Sequence, residues 1–380
     1  MINNFMIMRT TYLIPAVIAL ALSSCQAKKE TPVATMKDYF KNDFTIGAAI
    51  PVSHVNGADP KADSIVTLHY NSIVAENCMK CEKIHPEENV YFWDDADAFV
   101  KYGTDRGMEI IGHTLLWHSQ LAPWFAKDSL GNNVSADVLK QRMKDHITTV
   151  MTRYKGKIHG WDVVNEAILD DGSYRKSPFY EIIGEEFIPL AFQYAHEADP
   201  DAELYLNDFS MSVPGKRDAY VKLIKDLKAR GLRIDGIGMQ SHIGMDYPNM
   251  EDYEKSIVEF ANTGVNVMMT ELDMSALPTV QMGANISDSV AFNAMRNPYP
   301  DGLPAEVSAH WNARMDSVMN LYRKHSDVIT RITFWGTQDG MSWKNDFPMH
   351  GRTDYPLPFD REYNLKPFMQ NMINGESSSI

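Results

Sequence analysis

The sequence predicts an α/β protein: a single-domain (β/α)8 barrel of the TIM type. Three observations predict it. Eight short apolar runs bounded by turn residues read as strands. Longer amphipathic segments separate them, and apolar strands alternating with helices imply a parallel sheet covered by helices. Strand after strand then ends on amides, carboxylates, histidines or tryptophans, which a barrel gathers into one ring at its C-terminal face. A doubly wound open sheet is the alternative, but no glycine-rich phosphate loop follows any strand.

The strands come in order. The first is "FTIGAAI" (44–50) and the second "NSIVAEN" (71–77), ending on Glu76 and Asn77. "MEIIGHTLLW" (108–117) carries His113 and Trp117, with His118 following. "IHGWDVVNE" (158–166) ends on Asn165 and Glu166, and "AELYLND" (202–208) on Asn207 and Asp208. "IDGIGMQSH" (234–242) ends with Gln240 and His242, "VNVMMTELD" (265–273) with Glu271 and Asp273, and "ITRITFWG" (329–336) with Trp335. One such end is ordinary capping chemistry. Seven in register make a functional rim.

Three helices are legible between them. Ser135 is a good N-cap, Val138, Met143, Ile147, Val150 and Met151 recur at helical spacing, and Gly156 follows. A second helix runs from Pro214 toward Gly231, and a third covers 306–325. Trp161 and Trp311 are expected in the core.

Composition bounds the function. The 380 residues are 44% apolar and 23% charged, which is globular, and the net charge of −14 opposes binding to nucleic acid. Neutral polymers such as glycans remain suitable partners. Arg9 is the only charge before an apolar run from about Tyr12 to Leu22, followed by Leu22-Ser23-Ser24-Cys25. This reads as a signal peptide over 1–24, too short for a membrane span. The four residues resemble the bacterial lipobox, so Cys25 is the expected lipidation site and 25–36 a tether. A plain secretory signal is the alternative. The expected location is the cell envelope, at the outer membrane facing the periplasm or the surface, with membrane contact only through that lipid. Residues 37–375 are the expected catalytic domain and 376–380 a polar tail. Cys78 and Cys81 form a lone C-x-x-C, which lacks the second pair a zinc site needs. Free thiols or a local disulfide are expected there.

Glu166 and Glu271 carry the chemistry. Glycosidic hydrolysis needs two carboxyl groups across the scissile bond, one protonated and one ionised. Close carboxyls cannot both ionise easily, so one pKa is raised. Asn165 is placed to bond a sugar hydroxyl, and Trp117, Trp335 and Trp343 offer flat faces to sugar rings. A metal-dependent hydrolase on His113, His118 and His242 fits poorly, because residues five apart on a strand face opposite sides. No metal and no cofactor are expected.

The motifs in their order resemble glycoside hydrolase family 10 endo-1,4-β-xylanases, from about Phe44 to Ile373. They are "AENCMK" (75–80), "GHTLLWHSQLAPWF" (112–125), "WDVVNEAI" (161–168), "YLNDF" (205–209), "GIGMQSHI" (236–243), "MTELDM" (269–274), "RITFWGTQDGMSW" (331–343) and "PLPFDREYNLKPF" (356–368). The resemblance implies a retaining enzyme on xylan or xylo-oligosaccharides, with Glu166 as acid/base and Glu271 as nucleophile. His242, Asp273 and Asn207 would tune the nucleophile. His113, Trp117, Asn165 and Gln240 would line the sugar site at the cleavage point. Glu76, Asn77 and Lys80 would hold the next sugar, with Trp335 and Trp343 walling the cleft. Cys81 stands where many members carry Trp, and Ser275 to Pro304 is long, either extending the cleft or making no substrate contact. A monomer is expected. The competing functions are a catalytically dead surface glycan-binding lipoprotein and a β-1,4-glucanase of the same fold.

Overall fold

The computed structural model describes Met1, residues 34–280 and residues 290–376. The expected signal segment, Cys25, most of the tether and residues 377–380 lie outside the described residues. The fold is under way by Thr35, whose side chain accepts from Asp38 N at the start of helix Met36–Tyr39, and Met36 is fully buried.

Eight parallel strands close into a barrel. They are β1 (Thr45–Ile50), β2 (Ser72–Ala75), β3 (Glu109–Gly112), β4 (Gly160–Asn165), β5 (Glu203–Asp208), β6 (Gly236–Met239), β7 (Asn266–Ser275) and β8 (Ile329–Phe334). Each pairs with the next, and β8 pairs with β1 to close the ring. Alternation sorts their side chains. In β1, Ile46, Ala48 and Ile50 join the large cluster between strands and helices, while Ala49 joins a small one with Val74, Ile111, Tyr205, Met268 and Trp335. Side-chain period 2 sends the two sets to opposite faces, so the small cluster fills the barrel.

Two of the expected strands are divided. The third breaks after Gly112 and resumes as Leu116–Trp117, which pairs with Val164 and Asn165 of β4. The sixth breaks after Met239, because Ser241 takes the left-handed conformation (φ 67°), and His242–Gly244 then pairs with β7. Two register shifts matter for the rim. In β4, Asp162↔Tyr205 is followed by Val164↔Leu206, so β4 carries one extra residue. In β7, Met269 and Leu272 pair with Ile332 and Phe334, again one residue extra. Such bulges re-aim side chains at barrel rims.

The helices form the outer layer. Ser135 caps Ala136–Arg153 by accepting from Val138 N. Its buried stripe is Leu139, Met143, His146, Ile147, Val150 and Met151. Val138, expected in that stripe, is exposed. It is five residues from Met143, roughly 140° around the helix, whereas Leu139 is one turn away. Pro214–Ala229 and Ala305–Lys324 match the other two expected helices. Trp161 and Trp311 are buried as expected, and Trp311 donates its indole N–H to Met274 O at 2.7 Å.

Candidate active site

The rim pocket is lined by Lys80, His113, Trp117, Asn165, Glu166, Gln240, His242, Glu271, Trp335 and Trp343. Every one was expected from the sequence. The rim is built around two buried carboxyls whose surroundings differ.

Glu271 is 5% exposed and held on both oxygens. Asn207 Nδ2 donates to Oε1 at 2.8 Å, and His242 Nε2 stands 3.1 Å from Oε2. Thr270 donates to Asn207 Oδ1 at 2.6 Å, fixing which end of that amide faces Glu271. Gly238 leaves room for it, since a Cβ there would collide with Asn207 Oδ1 and with Thr270. Burial pushes the Glu271 pKa up. The His242 hydrogen bond, the His113 and His242 charges and the Asn207 hydrogen bond outweigh it, so the net direction is down.

His242 is itself fixed from behind. Its Nδ1 lies 2.9 Å from Asp273 Oδ2, which also accepts from Trp343 Nε1 at 2.7 Å. Lys344 Nζ is 3.5 Å from the other Asp273 oxygen. Burial acts to lower the His242 pKa, but Asp273 and Glu271 raise it overall.

Glu166 is 4% exposed, and its surroundings favour the proton. Oε1 accepts from Gln240 Nε2 at 3.1 Å, while Oε2 has no partner among the described residues. Burial, then the charge of Asp208 and lastly that of Glu271, raise its pKa to about 7, against the pull of Trp117 and Gln240 hydrogen bonds. The backbone of Glu166 is left-handed (φ 57°), a conformation costly for a non-glycine residue and held here by neighbours. Its N–H donates to Asn207 O at 2.9 Å, and Arg175 Nε donates to its carbonyl at 2.8 Å.

Asn165 joins the two halves. Its Oδ1 accepts from Asn207 at 2.9 Å and from Gln240 at 3.3 Å, and its Nδ2 is 3.4 Å from Glu166 Oε1. Turning that amide over would bring its oxygen 3.3 Å from Trp117 Nε1. Asn207 selects the first orientation, because its own amide is set by Glu271 and Thr270.

Around the pair, His113 Nδ1 lies 2.8 Å from Asp162 Oδ2, and its ring meets Trp335 edge-on at 5.3 Å. Lys80 is buried, with Nζ donating to Asn77 Oδ1 at 3.1 Å and Gln120 Oε1 at 2.9 Å, 5.0 Å from the centre of the Trp117 ring. Burial lowers the Lys80 pKa and raises that of Glu76 beside it. Trp117 and Trp335 are 8% and 7% exposed, so little of either ring surface is open. Trp343 stacks on Phe347 at 4.7 Å. His113 and His242 are thus committed to carboxylates, and no group of three potential metal ligands occurs among the described residues. Cys78 and Cys81 are free, buried thiols.

Several supporting residues escaped the sequence. Asp162 is buried with Oδ2 against His113 Nδ1, a pairing between neighbouring strands that neither motif announces. Gln120 and Thr270 lay inside quoted motifs but had no partner assigned, and Lys344 follows directly on the motif that ends at Trp343. Between the loops after β5 and β6 lies a wider cavity of about 320 Å³, lined by His242 together with Ser210, Pro214, Asp246, Tyr247 and Tyr253. The described part of the long segment after β7 packs on the loop after β8: Val290 N donates to Pro348 O, and Thr353 N to Asn297 Oδ1. Phe292 and Met295 on it are exposed.

Comparison with known proteins agrees across the chain. The profile of glycosyl hydrolase family 10 matches residues 35–375. Endo-1,4-beta-xylanase A of Xylanibacter ruminicola is 52% identical over 341 residues, covering 89% of this chain and 92% of that protein. Endo-1,4-beta-xylanase of Geobacillus stearothermophilus is 39% identical, covering 90% and 98%. Among solved structures, a GH10 endoxylanase retrieved from sugarcane soil metagenome superposes with TM-score 0.85 at 40% identity, covering 90% of this chain and 99% of that one.

Proposed function

Since the chain belongs to glycosyl hydrolase family 10, we propose that this hydrolase is a retaining endo-1,4-β-xylanase working by double displacement. The observation that carries the reading is the opposite tuning of two buried carboxyls in one pocket. Glu166 keeps its proton to about pH 7, whereas Glu271 is held ionised by His242 and Asn207.

In the first step Glu271 attacks the anomeric carbon while Glu166 gives its proton to the glycosidic oxygen, and the leaving chain departs as an alcohol. In the second step Glu166, now a carboxylate, takes a proton from water. The hydroxide attacks the same carbon, Glu271 leaves as a carboxylate, and Glu166 is protonated again. Asn165 bonds a hydroxyl beside the reacting carbon, and Gln240 orients Glu166. His242 keeps Glu271 aimed, with Asp273 behind it. Glu76, Asn77 and Lys80 hold the next sugar.

Specificity rests on shape. Xylose lacks the hydroxymethyl group that glucose carries at C5. Trp335 and Trp343 line the pocket, and Trp343 is braced by Asp273 and Phe347, so it cannot swing aside freely. A wall filling that space rejects glucose at about 1–3 kcal/mol per site, or roughly one to four orders of magnitude over two additive sites. The names of the relatives support xylan as the substrate. The test is kcat/KM on an aryl xylobioside against an aryl cellobioside, alongside product analysis on xylan. A strong xylo preference with internal cleavage is expected, and equal values would overturn the xylanase assignment.

The lipoprotein assignment is supported by the sequence Leu22-Ser23-Ser24-Cys25 after its apolar run. A lipidated Cys25 would hold the enzyme on the cell envelope. Wild-type protein is then expected in the detergent phase of a phase separation and Cys25→Ala outside it. Aqueous partitioning of the wild type would contradict the anchor.

A further inference from the structure

Behind the Glu166 turn lies a fully buried ion pair that none of the roles above uses. Asp208 and Lys216 are both 0% exposed. Lys216 Nζ lies 3.1 Å from Asp208 Oδ1 and donates to Phe209 O at 3.0 Å, while Asp170 Oδ1 is 3.1 Å away on its other side. Tyr220 donates to Asp208 Oδ2 at 2.6 Å, and Phe209 N to Oδ1 at 2.8 Å. The same carboxylate reaches forward, accepting from Ile168 N at 3.4 Å, two residues past Glu166. Its backbone carbonyl accepts from Gln240 N at 2.9 Å, and Gln240 is the residue that bonds Glu166 Oε1. Asp208 thus touches both ends of the Glu166 support, the left-handed turn and the amide.

A buried ion pair with so many satisfied atoms is weak evidence for stability alone, because apolar residues of the same volume often serve a core as well. Its position suggests a different use. We infer that Asp208 is a positioning residue for the acid/base step, holding the Glu166–Ile168 turn in place and keeping a fixed negative charge behind the Glu166 carboxyl throughout the reaction. The inference rests on the acid/base reading of Glu166. The charge of Glu271 disappears when that residue is glycosylated, but the charge of Asp208 does not. Glu166 therefore keeps part of its proton affinity in the covalent intermediate. This agrees with the order of influences on Glu166, in which Asp208 stands above Glu271.

The charged groups around the two carboxyls are few. Facing Glu166 are Asp208 from β5, Glu271 from β7 and Lys80 from the loop after β2. Facing Asp208 are Lys216 and Tyr220 from helix Pro214–Ala229, with Asp170 beyond Lys216. Arg175 lies on the segment that follows Glu166 and also acts on Tyr220.

The experiment compares wild type, Asp208→Asn and Glu166→Ala on aryl xylobiosides with a poor and a good leaving group across pH. With the poor leaving group, Asp208→Asn should move the basic limb of kcat/KM down by about one pH unit, a roughly tenfold loss above the limb. With the good leaving group, which needs no proton, its kcat/KM should stay near wild type. Glu166→Ala should lose the basic limb. A limb lost in Glu166→Ala but unmoved in folded Asp208→Asn overturns the Asp208 role alone. So does an equal loss on both leaving groups at every pH. A basic limb that survives in Glu166→Ala overturns the acid/base assignment, and the Asp208 role with it. Wild-type enzyme provides a test independent of the folding of the variant. Its Glu271 is trapped with a 2-fluoro xylobioside and the Glu166 carboxyl is titrated by carbon-13 NMR. A midpoint still above the ordinary glutamate range supports the persistent charge, and a midpoint within that range contradicts it.

Discussion

The imidazole of His242 places Nε2 3.1 Å from Oε2 of Glu271. One ring therefore connects the proposed nucleophile to Asp273, which takes Nδ1 at 2.9 Å. A nucleophile must be ionised and aimed, and this contact serves both needs. Hydrogen bonds to charged groups contribute about 1.5–3 kcal/mol. His242→Ala should accordingly lower kcat roughly 10–100-fold. It should also move the acid limb of kcat/KM upward, because Glu271 loses the contact that depresses its pKa most. A pH profile on an aryl xylobioside checks this, and an unmoved acid limb would count against the contact.

Glu166 gives up stability to keep its proton. In the folded chain it titrates near 7, against an ordinary value of 4.5. Between those two values the unfolded chain has released the proton and the folded chain retains it. Stability therefore falls as pH rises through that window and is unaffected by this group well below it. Glu166→Gln keeps the shape and removes the ionisation. It should be more stable than wild type by about 1–3 kcal/mol at pH 8 and nearly equal at pH 4. Calorimetry at the two pH values measures the difference, and a gain independent of pH would contradict the buried acid.

Gly238 is predicted to be intolerant of even one methyl group. A Cβ there meets Asn207 Oδ1 and the Thr270 side chain, both part of the Glu271 support. Gly238→Ala should cost about 1–3 kcal/mol of stability, as overpacking does. It should also reduce kcat more than it raises KM, because Asn207 is displaced rather than the residues proposed to hold sugar. A wild-type kcat in a folded variant would show that Asn207 need not stay where it is.

The sequence made the barrel and the pocket lining legible for a physical reason. Parallel strands buried on both faces are continuous apolar runs, so their polar ends stand out, as at Asn165-Glu166 and Glu271-Leu272-Asp273. The break after Met239 was hidden, because left-handed Ser241 carries no glycine to mark it. The bulges beside Asp162 and Glu271 were hidden too, since an extra residue in a strand depends on its neighbour's register. Asp208 illustrates the limit at the site. Its position at a strand end was plain, but its partners Lys216 and Tyr220 come from the next helix, and only the fold brings them together.

The most direct measurement is the identity of the residue that becomes covalently attached to sugar. A 2-fluoro xylobioside with a good leaving group forms the intermediate and slows its breakdown. Digestion and mass spectrometry then locate the added mass. Double displacement at this pocket predicts a single adduct on Glu271, with time-dependent inactivation prevented by xylobiose. No adduct, or an adduct on Glu166 or any other residue, would contradict the assignment of the two carboxyls.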